Sequence, residues 1–148
     1  MPTTPPPRGQ SDDTDLEALG RAVKQLQWRH HRTMEQRLNA AGSTLAQWDA
    51  LRAIDRNPGV PAHALAQYTF QSDQSFGALA TRMQKLGLIE RVSGKGRAIE
   101  HRLTDAGQST LTEGHELAAT VLAESFAPLQ DADRATLLRL LTRVIHQP

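Results

Sequence analysis

The chain has 148 residues, the size of one ordinary domain. It contains no cysteine, which excludes disulfides, thiolate zinc sites and thiol redox sensing. Aromatic residues make up only 4% of the chain, and its Leu-, Ala- and Val-rich apolar content favours helices over a sheet sandwich. No apolar run is long enough to span a membrane and the N-terminus lacks the apolar stretch of a signal peptide, so we expect a cytoplasmic protein.

The formal net charge is only +1, but the charges are unevenly distributed. Residues 21–40 carry five basic side chains and one acidic side chain, and residues 71–103 carry six basic and three acidic. Residues 104–148 carry three basic and six acidic side chains. An anionic partner would therefore bind the first two segments in preference to the third, although such excesses also arise on ordinary solvated faces.

The first segment, residues 1–13, is rich in proline and polar residues, and we expect a disordered tail there. A capping box at Thr14–Glu17 then predicts the start of a long helix that ends at Gly42. Its apolar residues recur every three or four positions, which is the spacing of one helix face. Because this regular stripe suits packing against another long helix, we assign residues 14–42 as an N-terminal dimerisation helix.

Residues 43–103 are predicted to form three short helices and a β-hairpin. A capping box at Thr44–Gln47 opens the first short helix, and Asn57–Gly59 stops it. The segments "LIERV" and "AIEHRL" alternate as strands do. This order of elements is that of a winged helix-turn-helix. The predicted core face of its last helix consists of Phe76, Leu79, Met83 and Leu86, and Gly87 ends that helix.

Residues 104–148 are predicted to form two more helices, capped by Thr104 and Asp131. These helices and the helix of residues 14–42 carry more apolar surface than the small central core can cover. We therefore expect a symmetric homodimer in preference to packing within one chain alone. The expected fold is mainly α with a small β-hairpin wing: a winged helix-turn-helix flanked by N- and C-terminal dimerisation helices.

The polar face of the fourth helix suits a reader of the DNA major groove. Glutamine and serine reach base edges, while arginine and lysine bind phosphates or guanine. The alternative is an ordinary solvated helix face, which the helix-turn-helix context disfavours. The residues proposed to bind DNA here are Gln71, Ser72, Gln74, Ser75, Arg82 and Lys85.

The loop between the two strands, Gly94–Arg97, has the composition of a phosphate-binding loop but not its spacing. It lacks the Gly-x-x-x-x-Gly-Lys-Ser/Thr pattern and does not lead into a helix. As the tip of a hairpin, it instead places Lys95 and Arg97 where they would contact a DNA backbone or minor groove. An uninvolved solvated turn is the remaining alternative.

The six histidines do not form a metal-binding pattern, so we predict no metal and no cofactor. No nucleophile–base pair is apparent, and we predict that the protein is not an enzyme. Trp28, His31 and Trp48 are candidates for an effector pocket, although core packing explains both tryptophans more simply.

Four segments resemble the MarR family of transcriptional regulators: "LAQWDALRAI", "HALAQ", "KLGLIER" and "LTDAG". The resemblance extends over residues 14–147 in element order. It implies a homodimer whose two fourth helices enter successive major grooves of a pseudo-palindromic double-stranded DNA operator. It also implies a repressor that releases DNA when a small aromatic or anionic effector binds between the dimerisation and DNA-binding regions. By position, Gln71, Gln74, Ser75 and Arg82 fall on the recognition helix, and Arg97 on the arginine of the family's wing motif.

Two departures from the family pattern stand out. The family often has Asp-x-Arg in the wing, whereas this chain has Lys95, Gly96 and Arg97, so an acidic residue that braces the wing is replaced by a cation. The fourth helix carries Gly77 and Ala78 where many relatives have larger polar residues, so more of the specificity would come from DNA shape. Two other hypotheses remain open: a winged-helix protein–protein interaction module without DNA readout, and an unrecognised hydrolase or transferase.

Overall fold

The computed structural model describes residues 10–93, 96 and 99–148, with side chains from residue 15 onward. It has six helices and one antiparallel hairpin in the predicted order. The helices are α1 (Gln10–Ala40), α2 (Leu45–Arg56), α3 (Ala62–Tyr68), α4 (Asp73–Lys85), α5 (Asp105–Phe126) and α6 (Asp131–Ile145). The strands are β1 (Ile89–Ser93) and β2 (Ile99–Leu103). The predicted mainly α fold with a hairpin wing is confirmed.

Short polar side chains cap the N-termini of α2, α4 and α5. Thr44 Oγ1 accepts a hydrogen bond from the Gln47 amide at 3.1 Å, as the capping-box pattern predicts. Thr104 Oγ1 accepts one from the Gly107 amide at 3.1 Å, again as predicted. The long first helix differs from the prediction, because α1 begins at Gln10 and the capping box at Thr14 lies inside it. Residues 1–9 of the expected tail lie outside the described residues.

The core lies where α2 packs against α1, α3, α4, α5 and the hairpin. Its largest fully buried side chains are Leu38, Leu51, Leu65, Phe76, Met83, Ile89 and Leu111. The prediction that Leu86 belongs to the core face of α4 is wrong, because this residue is 57% exposed. It is the C-cap residue of α4, and at 3.6 residues per turn it lies on the flank of the buried face and not at its centre. Ala80, which the pattern omitted, is buried on that face instead.

The hairpin pairs β1 with β2 antiparallel, with Arg91 opposite His101. Side chains alternate between the two faces, so the buried Ile89 and His101 point inward together with the half-buried Leu103. The His101 ring contacts the Phe76 ring edge-on, with centroids 5.9 Å apart, and its Nδ1 has no hydrogen-bond partner. A largely buried imidazole therefore lies in the core of the central unit, with one ring nitrogen unpaired.

The outer helices leave large apolar side chains in solvent. Helix α6 has no buried residue, and residues 15–25 of α1 are all exposed. The exposed apolar residues of α1, α5 and α6 are Leu16, Leu19, Val23, Trp28, Leu122, Leu138, Leu140, Val144 and Ile145. None of the described helices is both long and apolar enough to cross a bilayer.

The turn between α3 and α4 places a phenylalanine in left-handed backbone conformation. Phe70 has φ of 56°, its amide donates to the Gln67 carbonyl, and the next amide, of Gln71, donates to the Ala66 carbonyl. These two bonds close the end of α3 in the geometry that glycine favours. The Phe70 side chain is 98% exposed, so no burial offsets the backbone cost.

We expect Phe70→Gly to raise the free energy of unfolding by about 0.5–1 kcal/mol, since glycine avoids the ~1–2 kcal/mol cost of a Cβ in this conformation but is more flexible when unfolded. Urea unfolding followed by circular dichroism measures the change. Phe70→Leu is the matched control, because it keeps the Cβ and should give no gain. A less stable glycine variant would contradict the prediction.

We also expect His101 to make stability depend on pH. Burial, and then the nearby Arg91 guanidinium, lowers the pKa of His101 below its ordinary value of 6.5. The unfolded chain therefore takes up a proton first as the pH falls below 6.5, and the folded state loses stability down to the lowered pKa of His101. In His101→Leu, the free energy of unfolding should change less between pH 7 and pH 5 than it does in the wild-type protein. An unchanged slope would show that His101 does not titrate this way.

Candidate nucleic-acid interface

Helix α4 has one buried face and one fully exposed face. At 3.6 residues per turn, the buried residues cluster on one side of the helix, and the side opposite them is defined by four exposed positions. The buried face consists of Phe76, Leu79, Ala80 and Met83. The exposed face, which we call the recognition face, consists of Gln74, Ala78, Thr81 and Lys85.

The residues predicted to bind DNA are placed differently along this helix. Gln74 and Lys85 lie at the centre of the recognition face, while Ser75 and Arg82 lie on one flank of it. Ser72 is the N-cap: its Oγ accepts a hydrogen bond from the Ser75 amide at 3.1 Å. The assignment of Gln71 to the recognition helix is wrong, because it lies in the turn before the cap. The polar residues of the sequence begin at Gln71, two residues before the first residue of α4.

Thr81 was missed by sequence reasoning. It is exposed at the centre of the recognition face, between Ala78 and Lys85, and its hydroxyl bonds to the Gly77 carbonyl at 3.0 Å. Helical spacing from Gln74 through Ala78 would have found it, since positions 74, 78, 81 and 85 share one side of a helix.

The hairpin lies beside α4, with β1 nearest to the helix. From β1, the Arg91 guanidinium reaches the Thr81 hydroxyl at 3.2 Å and the Gly77 carbonyl at 3.4 Å. Gly96 has φ of 81°, the left-handed conformation of a tight turn. Lys95 and Arg97, the predicted wing-tip cations, lie outside the described residues.

A hydrogen bond and an ion pair engage polar groups at this surface. The Asp73 carboxylate, at the first turn of α4, is hydrogen-bonded to His63 of α3, with Nδ1 2.8 Å from Oδ1. On the outer side of β2, Arg102 bonds to Glu100 at 3.0 Å. Within the described part of the chain, Arg82 and Lys85 have no acidic partner, so α4 presents uncompensated positive charge beside its recognition face.

A second feature is an open groove of about 410 Å³ between the outer helices and α2. His31 and Trp48, two of the predicted effector residues, both line it. Trp28 does not: it stacks on the His31 ring, with centroids 6.0 Å apart, and faces a neighbouring surface groove. His30 also lines the groove, and burial followed by the charge of Arg29 lowers the pKa of its imidazole.

The position of α2 beneath this groove depends on close contact with α5. Trp48 Nε1 donates a hydrogen bond to the Leu111 carbonyl at 3.3 Å. A Cβ at Gly114 would come within 2.1 Å of the Trp48 indole, so only glycine admits the ring. Sequence reasoning missed Gly114, because nothing in one sequence reveals which helix the tryptophan approaches. Across the described residues, no three His, Asp or Glu side chains converge as metal ligands.

Comparison with known proteins agrees with this architecture. Residues 41–98 match the sequence model of the MarR family. No curated protein matches the chain closely enough to count as a relative. Among solved structures, apo MarR from E. coli is 22% identical, covers 85% of this chain and 96% of its own, and superposes with a TM-score of 0.75.

Two further structures are similar over comparable lengths. A probable transcriptional regulator from Pseudomonas aeruginosa is 27% identical, over 84% of this chain and 95% of that one, with a TM-score of 0.70. A MarR family protein of Mycobacterium tuberculosis, solved in complex with DNA, is 18% identical. The match covers 85% of this chain and 96% of the mycobacterial chain, with a TM-score of 0.73. The same mycobacterial protein has been solved with p-aminosalicylic acid. Residues 41–98 thus match the sequence model of the MarR family, and the chain as a whole has the winged helix-turn-helix fold of these solved MarR structures.

Proposed function

We propose that this protein is a sequence-specific, double-stranded DNA-binding transcription regulator that acts in the cytoplasm as a homodimeric repressor and is released by a small-molecule effector. The observation that carries the proposal is the recognition face of α4, which is exposed from Gln74 to Lys85 and flanked by positive charge. A polar helix face of this kind, beside a hairpin, has the dimensions of a major-groove reader. The mycobacterial relative solved with DNA supports the same interpretation.

The recognition face divides into base-reading and phosphate-binding positions. The Gln74 amide offers paired donor and acceptor groups that match adenine, and the Ala78 methyl suits contact with a thymine methyl. Lys85 and Arg82, toward the C-terminal end of α4, would bind backbone phosphates. Because only a few side chains on this face can read bases, DNA shape would supply a large part of the specificity.

The homodimer is proposed from the uncovered outer helices. Helix α6 buries none of its residues within the chain, and Leu138 and Ile145 on one side of it are 67% and 72% exposed. Burial of such side chains contributes about 1.5–3 kcal/mol each, and a second copy offers the same apolar face by symmetry. A dimer would also place two recognition helices on one operator.

The effector site is proposed at the groove between the outer helices and α2. It combines apolar side chains with the imidazoles of His30 and His31 and with the ion pair of Arg52 and Asp49. These groups suit a small aromatic acid, with the ring against the apolar wall and the carboxylate near Arg52, where it would compete with Asp49 for the guanidinium. The mycobacterial relative solved with p-aminosalicylic acid supports this class of effector.

Selection of bound sequences from a random duplex library tests the function. We expect a pseudo-palindrome with half-sites about one helical turn apart, an affinity that falls steeply with salt, and release by added salicylate as the effector probe.

Gln74→Ala should change base preference, whereas Lys85→Gln should weaken binding to all duplexes and reduce the salt slope by about one. Failure of the wild-type protein to bind any duplex in a salt-dependent manner would refute the proposal.

Leu138→Glu tests the dimer. A carboxylate at the centre of the proposed interface should convert the molecule from two chains to one, as measured by multi-angle light scattering, because a buried unpaired charge is costly. Operator binding should weaken at least tenfold with the loss of the second half-site. Leu86→Glu is the matched control: it alters an equally exposed leucine outside the outer helices and should leave the mass unchanged. A monomeric wild-type protein would contradict the prediction.

A further inference from the structure

An arginine occupies an inward-facing position of the wing. Arg91 lies directly opposite the buried His101 in the hairpin, and Ile89, two residues earlier on the same face, is buried. Strand alternation therefore directs Arg91 toward the protein and not toward solvent. An apolar residue would be expected at such a position, so the presence of a cation needs a physical reason.

The guanidinium of Arg91 ends on the recognition helix. Its Nη2 donates to Thr81 Oγ1 at 3.2 Å and, at the longer distance of 3.4 Å, to the Gly77 carbonyl. Both acceptors belong to the exposed half of α4, one of them on the recognition face itself. A single side chain thus joins β1 of the wing to the middle of the helix proposed to enter the groove.

This arrangement has a cost that core packing alone would avoid. Arg91 Nε is buried and has no hydrogen-bond partner in the described part of the chain, and the cation lies close enough to His101 to lower the pKa of that imidazole. A leucine at position 91 would leave no unpaired donor there. The arginine is therefore explained by its two bonds to α4 and not by packing.

We propose that Arg91 is a positioning residue that holds the wing at a fixed height along the recognition helix, so that wing and helix meet the DNA in one geometry. The inference rests on the proposed DNA-binding function. The wing is a two-stranded hairpin, which is marginally stable by itself, and the Arg91 bonds tie its first strand directly to the reading element. With the bonds broken, β1 would no longer be held at one position along α4.

Replacement of Arg91 is compared with replacement of an arginine that does not contact α4. Arg102, on the neighbouring strand, bonds to Glu100 and is exposed, so Arg102→Met removes the same charge from the same hairpin. We expect Arg91→Met to weaken operator binding about tenfold with an unchanged salt slope, and Arg102→Met to have little effect. Equal losses in the two variants would overturn the proposal.

Arg91→Lys separates positioning from direct phosphate contact. A lysine would preserve a phosphate contact, but its ammonium ends short of the position of Arg91 Nη2, the nitrogen that makes both bonds to α4, and it is more strongly hydrated. We therefore expect Arg91→Lys to bind nearly as weakly as Arg91→Met. Recovery of affinity by lysine, or a salt slope reduced by about one in Arg91→Met, would show that Arg91 contacts phosphate instead.

A double-mutant cycle tests whether the effect passes through α4. Thr81→Val removes the acceptor and keeps the side-chain shape, and Thr81→Ser is its control because it keeps the hydroxyl. The fold-loss of operator affinity in Arg91→Met/Thr81→Val should be smaller than the product of the two single losses, whereas independent losses would contradict a link through the Arg91–Thr81 bond.

In the free protein, amides of β1 and β2 should exchange hydrogen faster in Arg91→Met than in Arg102→Met. This readout remains valid if wild-type DNA binding is absent, so the two proposals fail separately.

Discussion

The contact between Trp48 and the backbone of α5 sets the relation between the two halves of the molecule. Its indole lies so close to Gly114 that any Cβ there would overlap the ring, and its Nε1 donates to the Leu111 carbonyl. The contact therefore fixes the distance between α2 and α5 at this point. Because α2 is the central helix of the helix-turn-helix core, the orientation of α4 and the wing relative to the outer helices follows from this contact.

The same tryptophan connects the proposed effector groove to the proposed DNA interface. One part of the indole lines the groove, and the Arg52 guanidinium lies 4.0 Å above its ring. A ligand that binds there with different affinity in two orientations of α2 about this contact would shift their populations, and α4, which packs against α2, would move with it. If the proposed function is correct, α2 alone connects the effector groove to the recognition helix. Its residues Leu51 and Ile54 lie in the core that is shared with α4.

Much of the fold could be predicted from the sequence because local physics decides it. Caps such as Thr44 and Thr104 define helix starts, and periodicity separates helices from the hairpin. The predictions fail at positions whose structure depends on contacts between distant parts of the chain or on where a helix ends. Leu86 continues the apolar spacing of α4 after the helix has ended, and Gln71 continues its polar run before the helix begins. Gly114 matters because a tryptophan 66 positions earlier meets it, which periodicity within one helix cannot reveal.

The positions that break local rules gather around the proposed DNA interface. Phe70 adopts a backbone conformation suited to glycine in the turn that leads into α4, and Arg91 places a cation where strand alternation calls for an apolar side chain. Neither residue improves packing, because one is exposed and the other leaves a buried donor unpaired. Proteins retain such costs mainly at functional sites. A sequence tuned for stability alone would replace both, so their joint presence beside the reading element, one before its start and one against its middle, supports a function for that surface and not for the core beneath it.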